Sequence, residues 1–310
     1  MDALVGLLDG VRAHGAFVLR MALDPPWSLR IQDEAPLTLI CVTDGTAVLS
    51  PDHGAAVHLH AGDVALARGT ENYVLADSAA TPPQVVIHPG QRCTTLSGED
   101  LTFAMALGVR TWGNSATGST RAVVGAYEGH SAVSTRLLDA LPDVAVLRAA
   151  DWNSGLPQSL ADEAVHDGPG QEAFLDRLLD LLLLDFVRTW FSRPGCAPPW
   201  WAAESDPLVG PALRLMYNSP AHPWTVANLA GAVGSSRASF ARRFAALVGE
   251  SPIAFLTSWR LALAADLLES SDVTVGAVAR HVGYSTPFAL STAFKRAHGL
   301  SPAAFRARRR

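Results

Sequence analysis

Lysine and cysteine are scarce in this sequence. Lys295 is the only lysine among 24 basic residues, a skew that we attribute to a GC-rich genome rather than to function. The three cysteines, Cys41, Cys93 and Cys196, show no metal-ligand spacing, and their odd number argues against a disulfide framework. A cysteine-based metal site is therefore not expected, while a thiol switch at Cys41 or Cys93 stays open as an alternative.

No apolar run is long enough to cross a membrane. The most apolar stretch, residues 171–191, is interrupted by Asp176, Asp180 and Arg188, whereas a spanning helix needs about 20 mostly apolar residues. Residues 1–4 show neither the basic region nor the cleavage site of a signal peptide. We therefore expect a cytoplasmic, reduced protein with no membrane partner.

Motifs for catalysis and nucleotide binding are also missing. Gly108, Gly113 and Gly118 do not form a nucleotide-binding fingerprint, and no nucleophile and base stand out as a pair. The chain is 49% hydrophobic and 17% charged, as is typical of a soluble globular protein. We therefore expect no enzyme activity and no cofactor.

Charge is divided unevenly along the 310 residues. Residues 207–310 contain twelve Arg or Lys and four Asp or Glu, a net charge of +8, whereas residues 1–206 carry −13. The overall net charge of −5 conceals this division. A basic half beside an acidic half indicates that only the C-terminal half contacts a polyanion.

The chain does contain a two-copy repeat. Residues 225–236 recur as residues 274–285, and after one inserted residue the match resumes. The paired positions include Thr225/Thr274, Val226/Val275, Ala230/Ala279, Val233/Val282, Gly234/Gly283, Phe240/Leu290, Phe244/Phe294, Gly249/Gly299, Pro252/Pro302 and Phe255/Phe305. Such a repeat marks two copies of one supersecondary unit.

Each copy has the pattern of a helix, a tight turn and a second helix. A threonine precedes the first helix as a cap, a glycine supplies the positive φ of the turn, a serine opens the second helix, and two apolar side chains face inward. These residues are Thr225, Gly234, Ser236, Phe240 and Phe244 in the first copy, and Thr274, Gly283, Ser285, Leu290 and Phe294 in the second. The pattern is that of the helix-turn-helix motif, whose second helix enters the DNA major groove.

One long helix is predicted between the two copies, over Pro252–Ser270. Pro252 suits the first position of a helix. A helix of about 18 residues spans about 27 Å at 1.5 Å per residue. That length suits a brace between two DNA-reading helices that lie about one duplex turn, ~34 Å, apart.

Short extended runs separated by turn residues occupy the first ninety residues. We predict strands over Ala16–Met21, Trp27–Ile31, Leu37–Val42, Thr46–Leu49, Val57–His60, Val64–Ala67, Tyr73–Ala76 and Val85–His88. Many short strands at regular spacing are typical of a small all-β barrel or jelly roll.

Other elements flank these strands. Helices are predicted over Asp2–His14, Ser134–Leu141 and Gln171–Phe191, and a polar loop over residues 111–120. The apolar face of the third helix is wide, which suits either a core helix or a dimerisation helix. Proline and glycine in residues 193–199 indicate a linker.

Characteristic residue combinations cover about the last hundred residues. They are Pro223–Val226, Leu229–Ala230, Ser236–Arg237, Phe240–Phe244, Gly249–Pro252, Trp259–Leu261, Val278–Ala279, Val282–Ser285, Ala293–Arg296, Gly299–Pro302 and Phe305–Arg306. With them the C-terminal block resembles the AraC-type family of bacterial transcription regulators. The N-terminal part resembles the cupin-type sensor of one branch of that family, through Asp2–Leu4, Pro26–Trp27, His60–Val64, Arg68–Gly69 and Gly108–Gly113.

These features predict a multidomain α+β protein. Residues 1–192 are expected to form a cupin-like β-barrel with flanking helices for sensing and dimerisation, and residues 193–206 a linker. Residues 207–310 are expected to form an all-α DNA-binding domain of two helix-turn-helix motifs joined by the long helix. The resemblance implies a regulator that binds double-stranded DNA as a homodimer, with a small-molecule effector and RNA polymerase as further partners.

The outward side of the first recognition helix carries three arginines. Arg242 matches a family position that reaches base edges, where arginine binds guanine O6 and N7 together, whereas Arg237 and Arg243 suit phosphates. The alternative is that all three are solvated surface side chains. The full set of predicted DNA contacts is Ser236, Arg237, Ser239, Arg242, Arg243, Ser285, Thr286, Ser291, Thr292, Lys295 and Arg296.

The second recognition helix departs from the family pattern. Pro287, Phe288 and Ala289 stand at outward positions where the family often has longer polar side chains, so this copy offers few hydrogen bonds to bases. We therefore expect weaker sequence reading at the second half-site. The tail residues Arg306 and 308–310 are expected to add salt-sensitive attraction to any DNA.

The N-terminal half is expected to hold an effector rather than a metal. Trp27, Cys41 and Tyr73 are candidate lining residues of a small barrel, against the alternative that they are ordinary core. His58 and His60 resemble the histidine pair of metal-binding cupins, but they stand directly before residues 61–63, too late in the motif, and no suitable glutamate follows. The competing interpretations are a metal-dependent cupin enzyme fused to a DNA-binding domain, a thiol switch, and a purely dimerising domain.

Overall fold

The computed structural model describes residues 16–69, 71–127, 137–270 and 273–307. They form two compact units, one within residues 16–127 and 141–190 and the other mainly within residues 191–307. The predicted helix over Asp2–His14 lies outside the described residues, as does the start of the one over Ser134–Leu141. In the part of the chain that is described, no helix is long and apolar enough to span a membrane.

The first unit is built from two β-sheets. Its strands are β1 (Phe17–Leu23), β2 (Ser28–Ile31), β3 (Leu37–Asp44), β4 (Thr46–Pro51), β5 (Val57–His60), β6 (Val64–Arg68), β7 (Tyr73–Ala76), β8 (Val85–His88), β9 (Arg92–Thr95), β10 (Ala106–Gly108), β11 (Thr111–Gly113), β12 (Thr120–Tyr127) and β13 (Val144–Leu147). One sheet has the order β10-β11-β1-β12-β3-β6-β13, and the other has the order β5-β4-β7-β2-β8-β9. Most pairs are antiparallel, but β1 with β11 and β2 with β8 run parallel.

The core of this unit lies between the two sheets. Along β3, Ile40 and Val42 enter a cluster that also contains Leu29 and Leu75 of the other sheet. Because side chains alternate along a strand, Cys41 points to the opposite face. That face is also buried, so Leu37–Val42 of β3 is buried on both faces instead of alternating between buried and exposed residues.

All eight predicted strands are confirmed as β1 to β8, with bounds shifted by at most two residues. The predicted loop over residues 111–120 is wrong at both ends, because Thr111–Gly113 forms β11 and β12 begins at Thr120. Strand β11 pairs with β1, where Thr111 stands opposite Arg20. Such a short strand, paired about ninety residues away, carries no local sequence signal.

Two helices, α1 (Leu156–Glu163) and α2 (Gln171–Ser192), follow the strands, and α1 contacts β3 and β12. The prediction of the long apolar helix is therefore confirmed. Leu179 of α2 packs so closely on Gly125 that a Cβ there would lie 2.4 Å from its Cδ1. The Tyr127 hydroxyl donates to the Leu179 carbonyl oxygen at 2.9 Å. One face of α2 thus serves as core.

The second unit is helical. Its helices are α3 (Pro199–Glu204), α4 (Val209–Asn218), α5 (Val226–Ala232), α6 (Arg237–Val248), α7 (Pro252–Ser270), α8 (Val275–His281), α9 (Pro287–His298) and α10 (Pro302–Ala307). The predicted long helix is confirmed as α7. Near its start Phe255 meets Phe244 of α6 edge-on, with ring centroids 5.7 Å apart, and further along Leu261 shares a buried cluster with Phe294 of α9. Helix α7 therefore packs against both helix pairs.

The stretch 193–206, predicted as a linker, contains a helix. Pro199 occupies the first turn of α3, where a missing N–H costs nothing, so this proline begins a helix instead of preventing one. Trp200 is buried and packs edge-on against Phe191, with ring centroids 6.0 Å apart. Part of the predicted linker is thus helical, while the bounds 1–192, 193–206 and 207–310 stay predictions.

Candidate nucleic-acid interface and barrel cavity

The first helix-turn-helix motif consists of α5, a turn and α6. Thr225 Oγ1 accepts the Asn228 N–H at 3.1 Å and caps α5, and Ser236 Oγ accepts the Ser239 N–H at 3.3 Å and caps α6. Between them Gly234 has φ 68°, a conformation that glycine adopts without steric cost. The predicted caps and turn are confirmed.

The second motif consists of α8, a turn and α9. Thr274 caps α8 at 3.2 Å, and Gly283 has φ 85°. The prediction that the second helix begins at Ser285 is wrong, because Thr286 is the cap and Pro287 the first helical residue. The inserted residue moves the start by one position, and proline fits the first helical turn.

Inward side chains orient both second helices. Phe240, Phe244, Leu290 and Phe294 are fully buried, as predicted. The opposite side of each helix carries exposed residues, among them Arg242 of α6 and Phe288 of α9.

The exposed side of α6 carries two unpartnered arginines. Arg237 and Arg242 are both exposed, and neither guanidinium makes an ion pair or hydrogen bond with the described part of the chain. Arg242 lies one helical turn beyond Ala238, which is also exposed. Both side chains stay available for phosphate or base contacts.

Arg243, the third arginine, already has a protein partner. Its Nε donates to Asp206 Oδ2 at 2.8 Å, and its Nη2 lies 2.6 Å from the same oxygen. Asp206 Oδ1 in turn accepts the backbone N–H groups of Leu208 and Val209, both at 2.9 Å. Arg243 therefore ties α6 to the start of α4, a contact between residues far apart in sequence that the predicted phosphate role did not include.

We expect this pair to make stability depend on pH. The Arg243 hydrogen bond, supported by the backbone bonds of Val209 and Leu208, lowers the pKa of Asp206 to about 2. The stabilisation is present above the unfolded pKa of about 3.9 and is lost as pH falls towards 2. In Arg243→Met, urea unfolding measured between pH 5 and pH 2.5 is expected to show a shallower pH dependence than the parent chain.

Arg237→Met is the matched control, since Arg237 has no carboxylate partner in the described residues. Its pH dependence is expected to match that of the parent. Equal slopes in all three proteins would show that the pair contributes nothing to the acid sensitivity.

The outward side of α9 has an apolar tip. Phe288 is 81% exposed, and Thr292, one turn later, donates its hydroxyl to the Phe288 carbonyl oxygen at 3.0 Å. Ser291 is half-buried, while Lys295 and Arg296 are exposed towards the end of the helix. The apolar side chain thus lies at the N-terminal end of α9 and the charges at the other.

The C-terminal arginines are only partly described. The guanidinium of Arg306 donates to the Val273 carbonyl oxygen, which holds α10 beside the start of α8. Residues 308–310, predicted to attract DNA non-specifically, lie outside the described residues.

A cavity lies between the sheets of the first unit, and Tyr73 lines it. The other two predicted effector residues do not reach it. Trp27 is buried in the same core but away from the cavity, and Cys41 lies on the opposite face of β3. Asp33 and Trp112 do line it, and sequence reasoning missed both, one after the end of a strand and the other in a presumed loop.

Burial makes two of the thiols unreactive. It raises the pKa of Cys41 to about 12, and burial, followed by the nearby Asp100 charge, raises the pKa of Cys93 to about 11. Because the thiolate is the reactive form, both groups are poor nucleophiles at neutral pH. The thiol-switch alternative therefore loses support.

The histidine pair points away from the cavity. His58 and His60 are exposed on β5, whereas Leu59 between them is fully buried. Asp63, which follows, holds the turn: it accepts the Ala149 N–H at 3.0 Å and the His60 N–H at 3.0 Å. The geometry therefore does not direct these imidazoles towards a metal inside the barrel.

Comparison with known proteins identifies both halves. Residues 2–192, more than half of the chain, match the family model described as Cupin, and residues 229–308 match the one described as Helix-turn-helix domain. A protein of Streptomyces antibioticus described as an AraC-like transcription regulator is 36% identical over 175 residues. That alignment covers 55% of this chain but only 58% of the relative, so the chain spans less than two thirds of that protein.

Other similar proteins extend over more of the chain or have known structures. The HTH-type transcriptional regulator AlkR of Acinetobacter baylyi is 26% identical over 99% of both chains. The DNA-binding domain of AdpA, solved in complex with a target DNA, is 38% identical over 34% of this chain and 93% of that one, with a TM-score of 0.32.

The fold and the two matches define a cupin domain followed by a double helix-turn-helix domain. The chain belongs to the AraC-type transcription regulators whose N-terminal half is a cupin domain.

Proposed function

We propose that this protein regulates transcription by binding double-stranded DNA through two unequal recognition helices. The observation that carries the proposal is the outward side of α6, where Arg237 and Arg242 are exposed and unpartnered. The C-terminal half is also basic, with a net charge of +8. Both features suit a polyanion whose bases are read in the major groove.

The first recognition helix supplies most of the sequence specificity. Arg242 stands mid-helix and binds guanine through O6 and N7, while Arg237, beside the helix start, contacts a phosphate. Ser236 and Ser239 add phosphate contacts near the cap. Arg243 contributes mainly by holding α6 in place against Asp206.

The second recognition helix contributes more contacts to the DNA backbone than to the bases. Phe288 and Thr292 present carbon atoms to thymine methyl groups, which are read by apolar contact. Lys295 and Arg296, together with the groups around Ser285, Thr286 and Ser291, contact the backbone. The second half-site therefore carries less sequence information than the first.

Selection of bound sequences from a random duplex library by the full-length protein tests this proposal. We expect two half-sites about one duplex turn apart, the first with the greater information content. Replacing thymine by uracil in the second half-site removes only the methyl group and is expected to weaken binding. Two half-sites of equal information would contradict the inequality, and the absence of any enriched motif would contradict sequence-specific binding.

The N-terminal domain is proposed to sense a small molecule and to dimerise. The internal cavity supports sensing. Phe174 and Leu181 of α2 support dimerisation, because both are exposed and lie seven residues apart on one side of the helix. RNA polymerase is the proposed protein partner, and the cytoplasm is the proposed location. A metal-dependent enzyme is the weaker candidate, since His58 and His60 face outward, and stoichiometric metal in purified protein would revive it.

A further inference from the structure

Two adjoining cavities inside the barrel differ in chemical character. The inner one, of about 50 Å³, is lined mostly by apolar side chains such as Leu19 and Met21. The outer one, of about 140 Å³, borders the carboxylates of Asp33, Glu34 and Glu71. The two share four lining residues, including Asp33, so a single ligand can extend from one into the other.

Asp33 stands at the junction of the two cavities and is half-buried. Its oxygens accept hydrogen bonds from the Ala35 N–H at 3.2 Å and from Gln91 Nε2 at 3.3 Å, both neutral donors. None of the described residues forms an ion pair with it. A carboxylate beside an apolar cavity and without a counter-charge attracts a cation, because the cation offsets the cost of removing the anion from water.

The charged residues that line the outer cavity all carry the same sign, negative. None of the described residues that line it is cationic. Glu71 is met at 3.1 Å by His53, but that imidazole is 83% exposed and stands outside the cavity lining. The outer cavity is therefore selective for positive charge over negative charge.

The indole of Trp112 lines the inner cavity, and the residue is 5% exposed. Its Nε1 is inaccessible and has no hydrogen-bond partner among the described residues. The ring therefore contributes apolar carbon atoms to the cavity lining, which suits an apolar part of a ligand.

We propose that the barrel binds a small organic amine with an apolar body. The ammonium group lies against Asp33 in the outer cavity, and the apolar body enters the inner cavity beside Trp112. This proposal rests on the sensing role proposed above and names the chemical class of its ligand.

Calorimetric titration of the full-length protein with three probes of matched size tests it: benzylamine, benzyl alcohol and benzoate. At neutral pH they are cationic, neutral and anionic. We expect benzylamine to bind at least ten times more tightly than benzyl alcohol, and benzoate not to bind. Asp33→Asn is expected to remove the preference for benzylamine over benzyl alcohol.

Asp44→Asn is the matched control, because Asp44 is an exposed carboxylate of the same domain that lines neither cavity. It is expected to keep the affinity of the parent, and equal thermal unfolding of the three proteins verifies folding. Equal affinities for the three probes, no binding of benzylamine, or an undiminished preference in Asp33→Asn would overturn the proposal. Motif selection, run on the same protein, reports the regulatory function separately, so failure of the ligand class and failure of DNA recognition are distinguishable.

Discussion

Arg242→Ala is expected to abolish sequence discrimination at one base pair of the first half-site while the protein still binds random DNA. A bidentate arginine–guanine contact contributes about 1–3 kcal/mol of discrimination, so the preference for the selected site over a site changed at that base pair falls by roughly 5- to 150-fold. Binding to random DNA depends on phosphate neutralisation and changes little. Competition binding of parent and variant, with selected and substituted duplexes at fixed ionic strength, measures both quantities.

Arg237→Ala provides the comparison for this result. Arg237 is exposed on the same helix, and its expected partner is a phosphate. We expect this variant to weaken binding to all sequences by a similar factor and to reduce the salt dependence by about one charge. If Arg242→Ala leaves discrimination unchanged, or behaves like Arg237→Ala, the assignment of base reading to Arg242 is wrong.

Gly283→Ala is expected to damage the second helix-turn-helix motif far more than Gly234→Ala damages the first. Both glycines occupy the same turn position with positive φ, and alanine there costs about 1–2 kcal/mol of backbone strain. Around Gly234 no atom lies within 4 Å of an added Cβ. At Gly283 the added Cβ lies 2.7 Å from Ala221 Cα and 2.9 Å from Ala221 O, both backbone atoms.

Arg260 explains why this neighbour does not move away. Its Nε and Nη2 donate to the carbonyl oxygens of Pro220 and His222, both at 2.7 Å, and so fix the backbone on either side of Ala221. Overpacking of this kind costs a further 1–3 kcal/mol or so. We therefore expect the free energy of unfolding to fall by about 2–5 kcal/mol in Gly283→Ala and by about 1–2 kcal/mol in Gly234→Ala.

Urea unfolding of the full-length variants, followed by helical circular dichroism, tests this difference. Gly283→Ala is also expected to lose affinity for the second half-site at temperatures where Gly234→Ala retains it for the first. Equal losses of stability in the two variants would show that the contact with Ala221 relaxes at no cost.

Much of the helical domain was predictable because the sequence signals for its helices and turns are local and occur in two copies. The caps Thr225 and Thr274, the turn glycines and the buried apolar pairs each act within a few residues of chain. The prediction failed at Ser285, where a single inserted residue moves the cap to Thr286. It also did not include helix α3 within residues 193–206, because a proline that begins a helix and one that prevents it look alike until Trp200 has a partner to pack on.

The barrel was predictable as a set of strands but not as a site. Strands β1 to β8 follow from alternating or apolar runs between turn residues, whereas β11 exists only because β1 pairs with it. Cys41 and Tyr73 both read as buried strand residues, yet only Tyr73 faces the cavity. Which of the two buried faces of a strand lines the cavity depends on how the strands pair in the sheets and on which face the helices pack against.

The amino-acid sequence was sufficient to predict two helix-turn-helix copies that follow a small β-domain along the chain, and a basic net charge in the region of the copies. The spacing of apolar residues, the capping residues and the net charge are properties of short stretches of sequence, so no tertiary contact is needed to recognise them. The tertiary contacts were needed to show that Arg243 pairs with Asp206, that Gly283 packs against Ala221, and that Asp33 and Trp112 line one cavity. Each of these depends on residues far apart in the chain, which packing alone brings together.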